Sequence, residues 1–321
     1  MQYRRVAWGI ETNEILTSWV DMFLDDNGKP VGLVQSQNSG LHVFHSVDPN
    51  IASIERSSLK VKVHHGFCRP ALTRNKNILC PSGHDTFYYL PKAILQSEGL
   101  EVGESKSIES GQGASLVFLH PFVHKDNEYV MFGTEDGKIH VVRSPLGESN
   151  EKSLSSLCLM DHVSKIGKKM DPIVPLCCAG DETSGFFVIG TTSTDLPLLK
   201  WDGESETLVV NQVKSIVNKG IGCLALRPDK KLLAAGCWDG RIRLFTFPGM
   251  RQLVVLDFHK ATITSLLFLD KVDDWTGTDQ YYLVCGAKDN RLTGWDLFNK
   301  KSRPQSQFVK EDKDGLDWEI G

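Results

Sequence analysis

The sequence has no long apolar run, and this absence excludes a transmembrane helix. No stretch approaches the ~18 uncharged apolar residues that such a helix requires. The N-terminal segment MQYRRVAWGIETNEI is partly basic but lacks the apolar core of about 7–15 residues that a secretory signal needs. We therefore expect an intracellular protein, in the nucleus and the cytoplasm, that does not associate with membranes.

Short motifs for catalysis and phosphate binding are also missing. The sequence contains no GxxxxGK[ST], GxSxG, HExxH or CxxC pattern. Gly111-Gln112-Gly113 precedes a strand-like run instead of a helix, so it is no phosphate cradle. The pair Cys177-Cys178 lies in an apolar run, which favours core packing over a zinc site with spaced ligands. We predict a protein that is not an enzyme and binds no cofactor or metal.

Strong positive charge is absent as well. The chain has 36 Lys and Arg against 40 Asp and Glu, a formal net charge of -4. Because affinity for nucleic acid depends on cations that neutralise phosphates, this balance argues against direct nucleic-acid binding. Most of the eight cysteines lie in apolar runs, where a reduced thiol behaves as a small hydrophobic group.

What the sequence does contain is a repeated strand–turn–strand pattern, clearest in residues 220–245. There, apolar runs are bounded by Pro228-Asp229 and Asp239-Gly240, which are typical turn residues. Similar hairpins recur, and their turn residues are separated by 47, 51, 59, 44 and 50 positions. These turn residues are Asn38, Asp85, Asp136, Asp195, Asp239 and Asp289.

A period of about 40–50 residues is typical of the four-stranded blades of a β-propeller. A β-sandwich also has short alternating strands, but it would not repeat one hairpin at so regular a spacing. We predict an all-β propeller with six readable blades over residues 1–298. Gln2–Trp8 is expected to close the ring as an outer strand, and the charged segment 299–321 to form a flexible tail.

Two segments resemble WD repeats in detail. In such repeats, a loop His, a turn Asp and a Trp of the third strand form a buried hydrogen-bonded set, which here implies His259, Asp289 and Trp295. Ala287 stands where WD repeats often have Ser or Thr, so we expect this set to be incomplete. Asp136 and Asp239 occupy the turn position of earlier blades, and we predict structural roles for both.

The stretches GI…LRPDKKLLAAGCWDGRIRLF, LDFHKATI and CGAKDNRLTGWDLF resemble the WD-repeat G-protein-β-subunit-like protein family, whose fungal counterpart is the ASTRA-associated protein. The resemblance is close over the last two blades, about a quarter of the chain. It implies a scaffold that works with the Triple-T co-chaperone in the maturation of phosphatidylinositol-3-kinase-related kinases, and membership of the chromatin-associated ASTRA assembly. The family ring usually has seven blades, so the first blade is missing from this chain or the ring differs.

Five residues are candidates for binding protein partners. Trp238 precedes a turn and is either an exposed anchor or packed between blades. Arg241 and Arg243 lie on the same face of one strand. They form either a basic stripe at a sheet edge or a surface that pairs with acidic groups of a protein partner. Trp275 lies in an insertion and Trp318 in the acidic tail. We expect the protein itself to be a monomer.

Two other functions are compatible with a propeller. WD-repeat proteins also serve as substrate receptors of cullin ubiquitin ligases, which often carry an Arg two residues after a Trp-Asp pair. Trp295-Asp296 is followed by Leu297-Phe298, so that Arg is missing. A propeller hydrolase would need carboxylates or imidazoles that converge near the axis, and the sequence contains no evident set.

Overall fold

The computed structural model describes residues 17–24, 30–36, 40–48, 51–59, 68–81, 86–91, 106–109, 113–144, 154–161, 173–271 and 280–297. The chain divides into two compact units, Met1–Glu109 and Ser110–Gly321. In the described ranges both units consist of antiparallel sheets, and neither contains an α-helix.

The first unit contains two four-stranded sheets, here blades 1 and 2. In each sheet the strands are neighbours in chain order, so each sheet is a simple meander. Blade 1 comprises β1 (Thr17–Leu24), β2 (Pro30–Ser36), β3 (Gly40–Asp48) and β4 (Ile51–Leu59). Blade 2 comprises β5 (Ala71–Leu72), β6 (Ile78–Pro81), β7 (Thr86–Leu90) and β8 (Lys106–Glu109).

The second unit contains four further meanders, here blades 3 to 6. Blade 3 comprises β9 (Leu116–His124), β10 (Asn127–Thr134), β11 (Lys138–Ser144) and β12 (Ser155–Cys158). Blade 4 comprises β13 (Pro175–Asp181), β14 (Phe186–Thr191), β15 (Asp195–Asp202) and β16 (Thr207–Ser215). Blade 5 comprises β17 (Ile221–Leu226), β18 (Leu232–Cys237), β19 (Arg241–Thr246) and β20 (Gln252–Asp257). Blade 6 comprises β21 (Ile263–Lys271), β22 (Gln280–Ala287) and β23 (Leu292–Asp296).

The β-propeller that the hairpin spacing predicts is confirmed. The described residues form six sheets, and in the second unit the first strand of each blade lies beside the first strand of the next. Successive blades therefore pack face to face around their first strands. Because a middle strand of such a blade is covered on both faces, it reads as a continuous apolar run instead of an alternating one. β18, with the sequence LLAAGC, is buried along its whole length.

Close packing between blades 5 and 6 requires a glycine in β18. A Cβ atom on Gly236 would lie 2.5 Å from the Cys223 Sγ of β17 and 2.6 Å from the Ile263 Cγ2 of β21. Between blades 3 and 4 the core is instead aromatic. The ring centroids of Phe122 and Phe187 are 4.8 Å apart there.

Several predicted features lie outside the described residues. They are the closing strand Gln2–Trp8, the turn residues Asn38 and Asp85, the aromatic residues Trp275 and Trp318, and the tail 299–321. The extent of the propeller, residues 1–298, and the boundary of the tail stay predictions.

Candidate functional site: a loop edge with an exposed tryptophan

Five connections of blades 4 to 6 meet at one end of their sheets. They are the turns after the second strands and the loops that lead into the first strands. Because neighbouring strands are antiparallel, these two kinds of connection lie at the same end of a meander. The five segments, here termed the loop edge, are residues 192–194, 217–220, 238–240, 259–262 and 288–291.

A series of hydrogen bonds joins the segments of the loop edge. The backbone N–H of Gly220 donates to the Ser193 carbonyl at 3.0 Å, and that of Trp238 donates to the Gly220 carbonyl at 2.9 Å. The Thr262 hydroxyl then donates to the Trp238 carbonyl at 3.3 Å. Finally, the Lys288 N–H donates to the Thr262 carbonyl at 2.9 Å. The five loops therefore support one another, with Trp238 near the middle of the series.

The indole of Trp238 is exposed and rests on a glycine-containing strand entry. Trp238 is 45% exposed. A Cβ atom on Gly220 would lie 2.1 Å from its Cδ2 atom, and one on Gly222 would lie 3.3 Å from its Nε1 atom. Gly220 also has a φ of 90°, a conformation that favours glycine. Of the two alternatives that the sequence leaves open for Trp238, the structure shows the exposed one, while partner binding stays a prediction.

The next residue after Trp238 is Asp239, whose carboxylate accepts several hydrogen bonds. Arg243 donates from Nη1 and Nη2 to the two carboxylate oxygens at 3.0 and 2.7 Å, and Asn218 donates from Nδ2 at 2.7 Å. Burial by itself would raise the pKa of Asp239, but the hydrogen bonds from Arg243 and Asn218 outweigh it and lower this pKa to about 2. Asp239 therefore fixes the 217–220 loop to its own blade.

The two arginines of β19 do not form a free basic stripe. They share a strand face, as alternation predicts, but that face also holds carboxylates. Arg243 is only 4% exposed and its guanidinium is occupied by Asp239, so it belongs to the interior of the blade instead of a partner surface. Arg241 lies opposite Asp257 of β20, and its Nε donates to that carboxylate at 2.9 Å.

Blade 6 contains a hydrogen-bonded set of four side chains. His259 is buried, and its Nδ1 lies 3.1 Å from each carboxylate oxygen of Asp289. Its Nε2 lies 2.9 Å from the Thr293 hydroxyl, which also accepts from the Trp295 indole N–H at 3.0 Å. With the His259 proton on Nδ1, each of these contacts pairs one donor with one acceptor.

Thr293 is the member of this set that the sequence did not reveal. Ala287 indicated an incomplete network, but the hydroxyl is supplied from β23 instead of β22. Thr293 follows the turn Asp289 by four positions, and in blade 5 Arg243 follows Asp239 by the same four. In both blades the fourth residue after the turn Asp lies on the third strand and joins the hydrogen-bonded set. This spacing is the signal that could have identified Thr293 and Arg243.

Asp136 occupies the corresponding turn of blade 3. It accepts from the Thr134 hydroxyl at 2.5 Å and pairs with the Lys138 ammonium at 2.8 Å. Burial would raise its pKa, but the hydrogen bonds from Lys138 and Thr134 outweigh that effect, so the pKa is lowered. Asp136 thus stabilises its own turn.

Burial also shifts the pKa values of titratable groups that lie away from the loop edge. Burial lowers the pKa of His120 to about 4 and raises the pKa of the Cys80 thiol to about 12. Within the described ranges no three His, Cys, Asp or Glu side chains gather as ligands for a metal ion. Nor do they include a helix of the length and apolar character needed to cross a membrane.

Successive four-stranded meanders and the His259–Asp289–Thr293–Trp295 set define a WD-repeat β-propeller. The family model described as WD domain, G-beta repeat matches residues 211–246, which run from the middle of β16 to the end of β19. That stretch contains Trp238, Asp239 and Arg243.

Proteins that are similar to the chain include two curated relatives and one solved structure. The chain is 30% identical over 135 residues to the guanine nucleotide-binding protein subunit beta-like protein 1 of Mus musculus. The aligned stretch covers 42% of this chain and 38% of the relative. The chain is also 32% identical over 75 residues to the ASTRA-associated protein 1 of Schizosaccharomyces pombe. This second stretch covers 23% of this chain and 18% of the relative. The resemblance to these two kinds of protein is thereby confirmed. The match spans well under two thirds of either relative's length.

The solved structure is the crystal structure of BBS1N in complex with ARL6DN, soaked with mercury. It matches with a TM-score of 0.58 and 13% sequence identity, over 88% of this chain and 78% of that one. At this identity the likeness concerns the fold alone.

Proposed function

We propose that the chain is a non-enzymatic adaptor that assists the maturation of phosphatidylinositol-3-kinase-related kinases with a Triple-T type of co-chaperone. The observation that carries this proposal is the loop edge, whose hydrogen-bonded segments hold Trp238 exposed. The fungal relative's association with ASTRA, which its name states, supports the assignment to this chaperone route. We further propose that the protein is a monomer located in the nucleus and the cytoplasm.

The loop edge suits the binding of proteins because it is ordered before a partner arrives. Association loses less free energy to the ordering of loops when these are already held in place. Tryptophan is among the residues that contribute most to binding free energy at interfaces. By contrast, the groups that could transfer protons here are occupied, since Asp239 binds Arg243 and His259 binds Asp289.

Affinity purification of the tagged full-length chain tests the proposal. We expect co-chaperone subunits and kinases of this class to be recovered with the wild-type protein. Trp238→Ala should reduce that recovery, whereas Leu253→Ala, a change at another exposed apolar residue on β20, should not. Recovery of neither co-chaperone nor kinases, or of cullin ligase subunits in their place, would contradict the proposal.

A further inference from the structure

We propose that the loop edge binds a carboxylate-rich peptide segment that carries an apolar side chain. This inference rests on the proposed adaptor function and identifies the chemistry of the segment that a partner protein would present. It follows from an exposed apolar group, from a set of exposed cations beside it, and from the internal pairing of the carboxylates in between.

The apolar part of the surface is centred on Trp238. One side of its indole faces the Gly220–Gly222 backbone, and 45% of the residue stays accessible. Val217 is 88% exposed in the segment that is bonded to Trp238 through Gly220. Leu292, which follows the last segment of the loop edge, is 41% exposed. A partner side chain could bury apolar area here without any rearrangement of the loops.

The cationic part lies around the turn at Asp289. The backbone N–H groups of Lys260 and Arg291 both donate to the Asp289 carboxylate, at 3.1 and 3.2 Å, and Lys288 is its chain neighbour. The side chains of Lys260, Lys288 and Arg291 are all exposed. Three positive charges therefore lie on two segments, 259–262 and 288–291, that Asp289 holds together.

The two carboxylates of the loop edge, those of Asp239 and Asp289, contact partners inside the blades instead of the exposed cations. Asp289 turns inward to His259, and Asp239 turns inward to Arg243 and Asn218. Among the described residues, the ion pairs include none formed by Lys260 or Lys288. Asp289 keeps its negative charge, but Lys260, Lys288 and Arg291 outnumber it, so this turn has an excess of positive charge although the chain as a whole has a net charge of -4.

One residue connects the two parts of the surface. Thr262 donates through its hydroxyl to the Trp238 carbonyl and accepts at its own carbonyl from the Lys288 N–H. The aromatic anchor and the cations thus lie on adjoining segments, within reach of one short peptide. A segment with an apolar residue among acidic ones would satisfy both parts. Nucleic acid fits less well, because so few cations would neutralise few phosphates.

Fluorescence polarisation with the full-length protein tests the inference. The probe is a labelled synthetic peptide of Asp and Glu residues around a single Leu, and a version with Lys in place of the acidic residues is the peptide control. We expect the acidic peptide alone to bind, and more weakly as ionic strength rises from about 0.05 M to about 0.5 M, because salt screens exposed charges. A labelled single-stranded RNA is measured in parallel.

Two sets of variants separate the contributions. The double substitution Lys260→Glu and Lys288→Glu should weaken peptide binding about tenfold or more, since it places like charges in contact. Trp238→Ala should weaken it about 30-fold, a typical loss for an aromatic anchor. Lys231→Glu, on the turn between β17 and β18 at the other end of the blade, is a single charge reversal at a distant site and should bind as the wild type does.

The outcomes distinguish this inference from the adaptor function. Failure of the wild type to bind the acidic peptide, equal binding by the Lys260/Lys288 variant, or preferential binding of RNA would each overturn the inference. The purification result is independent, because it does not depend on peptide chemistry. If kinases and co-chaperone are recovered but the peptide is not bound, the adaptor proposal stands and only the assignment of its ligand falls.

Discussion

Replacement of Thr293 by valine is the most direct probe of the buried set in blade 6. The hydroxyl of Thr293 connects the Nε2 atom of His259 with the indole N–H of Trp295, at 2.9 and 3.0 Å. Valine has nearly the same shape but has no polar atom to offer either partner. The substitution therefore removes two hydrogen bonds while it leaves the packing almost unchanged.

The expected loss follows from the burial of the partners. His259 and Thr293 are both buried, so Nε2 would lose the Thr293 hydroxyl as its partner in the interior of the blade. An unsatisfied buried polar group costs about 1–3 kcal/mol, and a lost hydrogen bond about 1 kcal/mol. Because Trp295 is only partly buried, its N–H can be hydrated and contributes less. We expect Thr293→Val to lower the free energy of unfolding by about 2–4 kcal/mol.

Urea denaturation followed by tryptophan fluorescence measures this loss, because the free energy of unfolding falls linearly with denaturant. Thr293→Ser is the matched control. It keeps the hydroxyl and loses one methyl group, so it should cost about 1 kcal/mol. The reasoning would be refuted by a valine variant within about 0.5 kcal/mol of the wild type, or by a serine variant as unstable as the valine one.

Two further predictions concern blade packing and pH. Gly236→Ala should destabilise the protein by about 1–3 kcal/mol, because the new Cβ atom would lie 2.5 Å from Cys223 Sγ. Gly294→Ala is the control and should be close to neutral, since a Cβ atom there would meet nothing within 4 Å. Thermal unfolding of both variants measures the difference in stability. The carboxyl of Asp239 has a lower pKa in the folded state, about 2, than in the unfolded chain. Its stabilisation is therefore complete above the unfolded pKa near 4 and is lost as pH falls to about 2, a change of about 2 kcal/mol. Asp239→Asn should remove this pH dependence. It should also destabilise the protein at neutral pH, because Arg243 loses its counter-charge. Equal slopes of stability against pH in the wild type and the variant would contradict this prediction.

Much of the fold could be predicted because its signals are local. Pro228-Asp229 and Asp239-Gly240 mark the ends of β18, and the structure places that strand between them at Leu232–Cys237. Turn chemistry and the apolar character of short runs depend on neighbouring residues alone. Repetition of the same local signals at a nearly constant interval then indicated a propeller.

Partners of individual side chains were harder to predict. The hydrogen bond between His259 and Thr293 joins positions 34 apart, and that between Asn218 and Asp239 joins positions 21 apart. Arg243 could be placed on a strand face, but its spacing of four positions from Asp239 acquires a meaning only beside the same spacing of Thr293 and Asp289 in the next blade. A residue type states which bonds are possible, while the approach of distant segments determines which ones form.

The sequence by itself determined the small sheets, the turn residues between them and the number of times they recur, because strand and turn preferences act over a few neighbouring positions. Only the tertiary structure decided which side chains the sheets leave open. Trp238 stays exposed because two glycines let its indole lie on the backbone, and Arg243 is withdrawn because a carboxylate is buried beside it. Exposure and charge at a surface are properties of the packed blades, since they depend on what covers each residue.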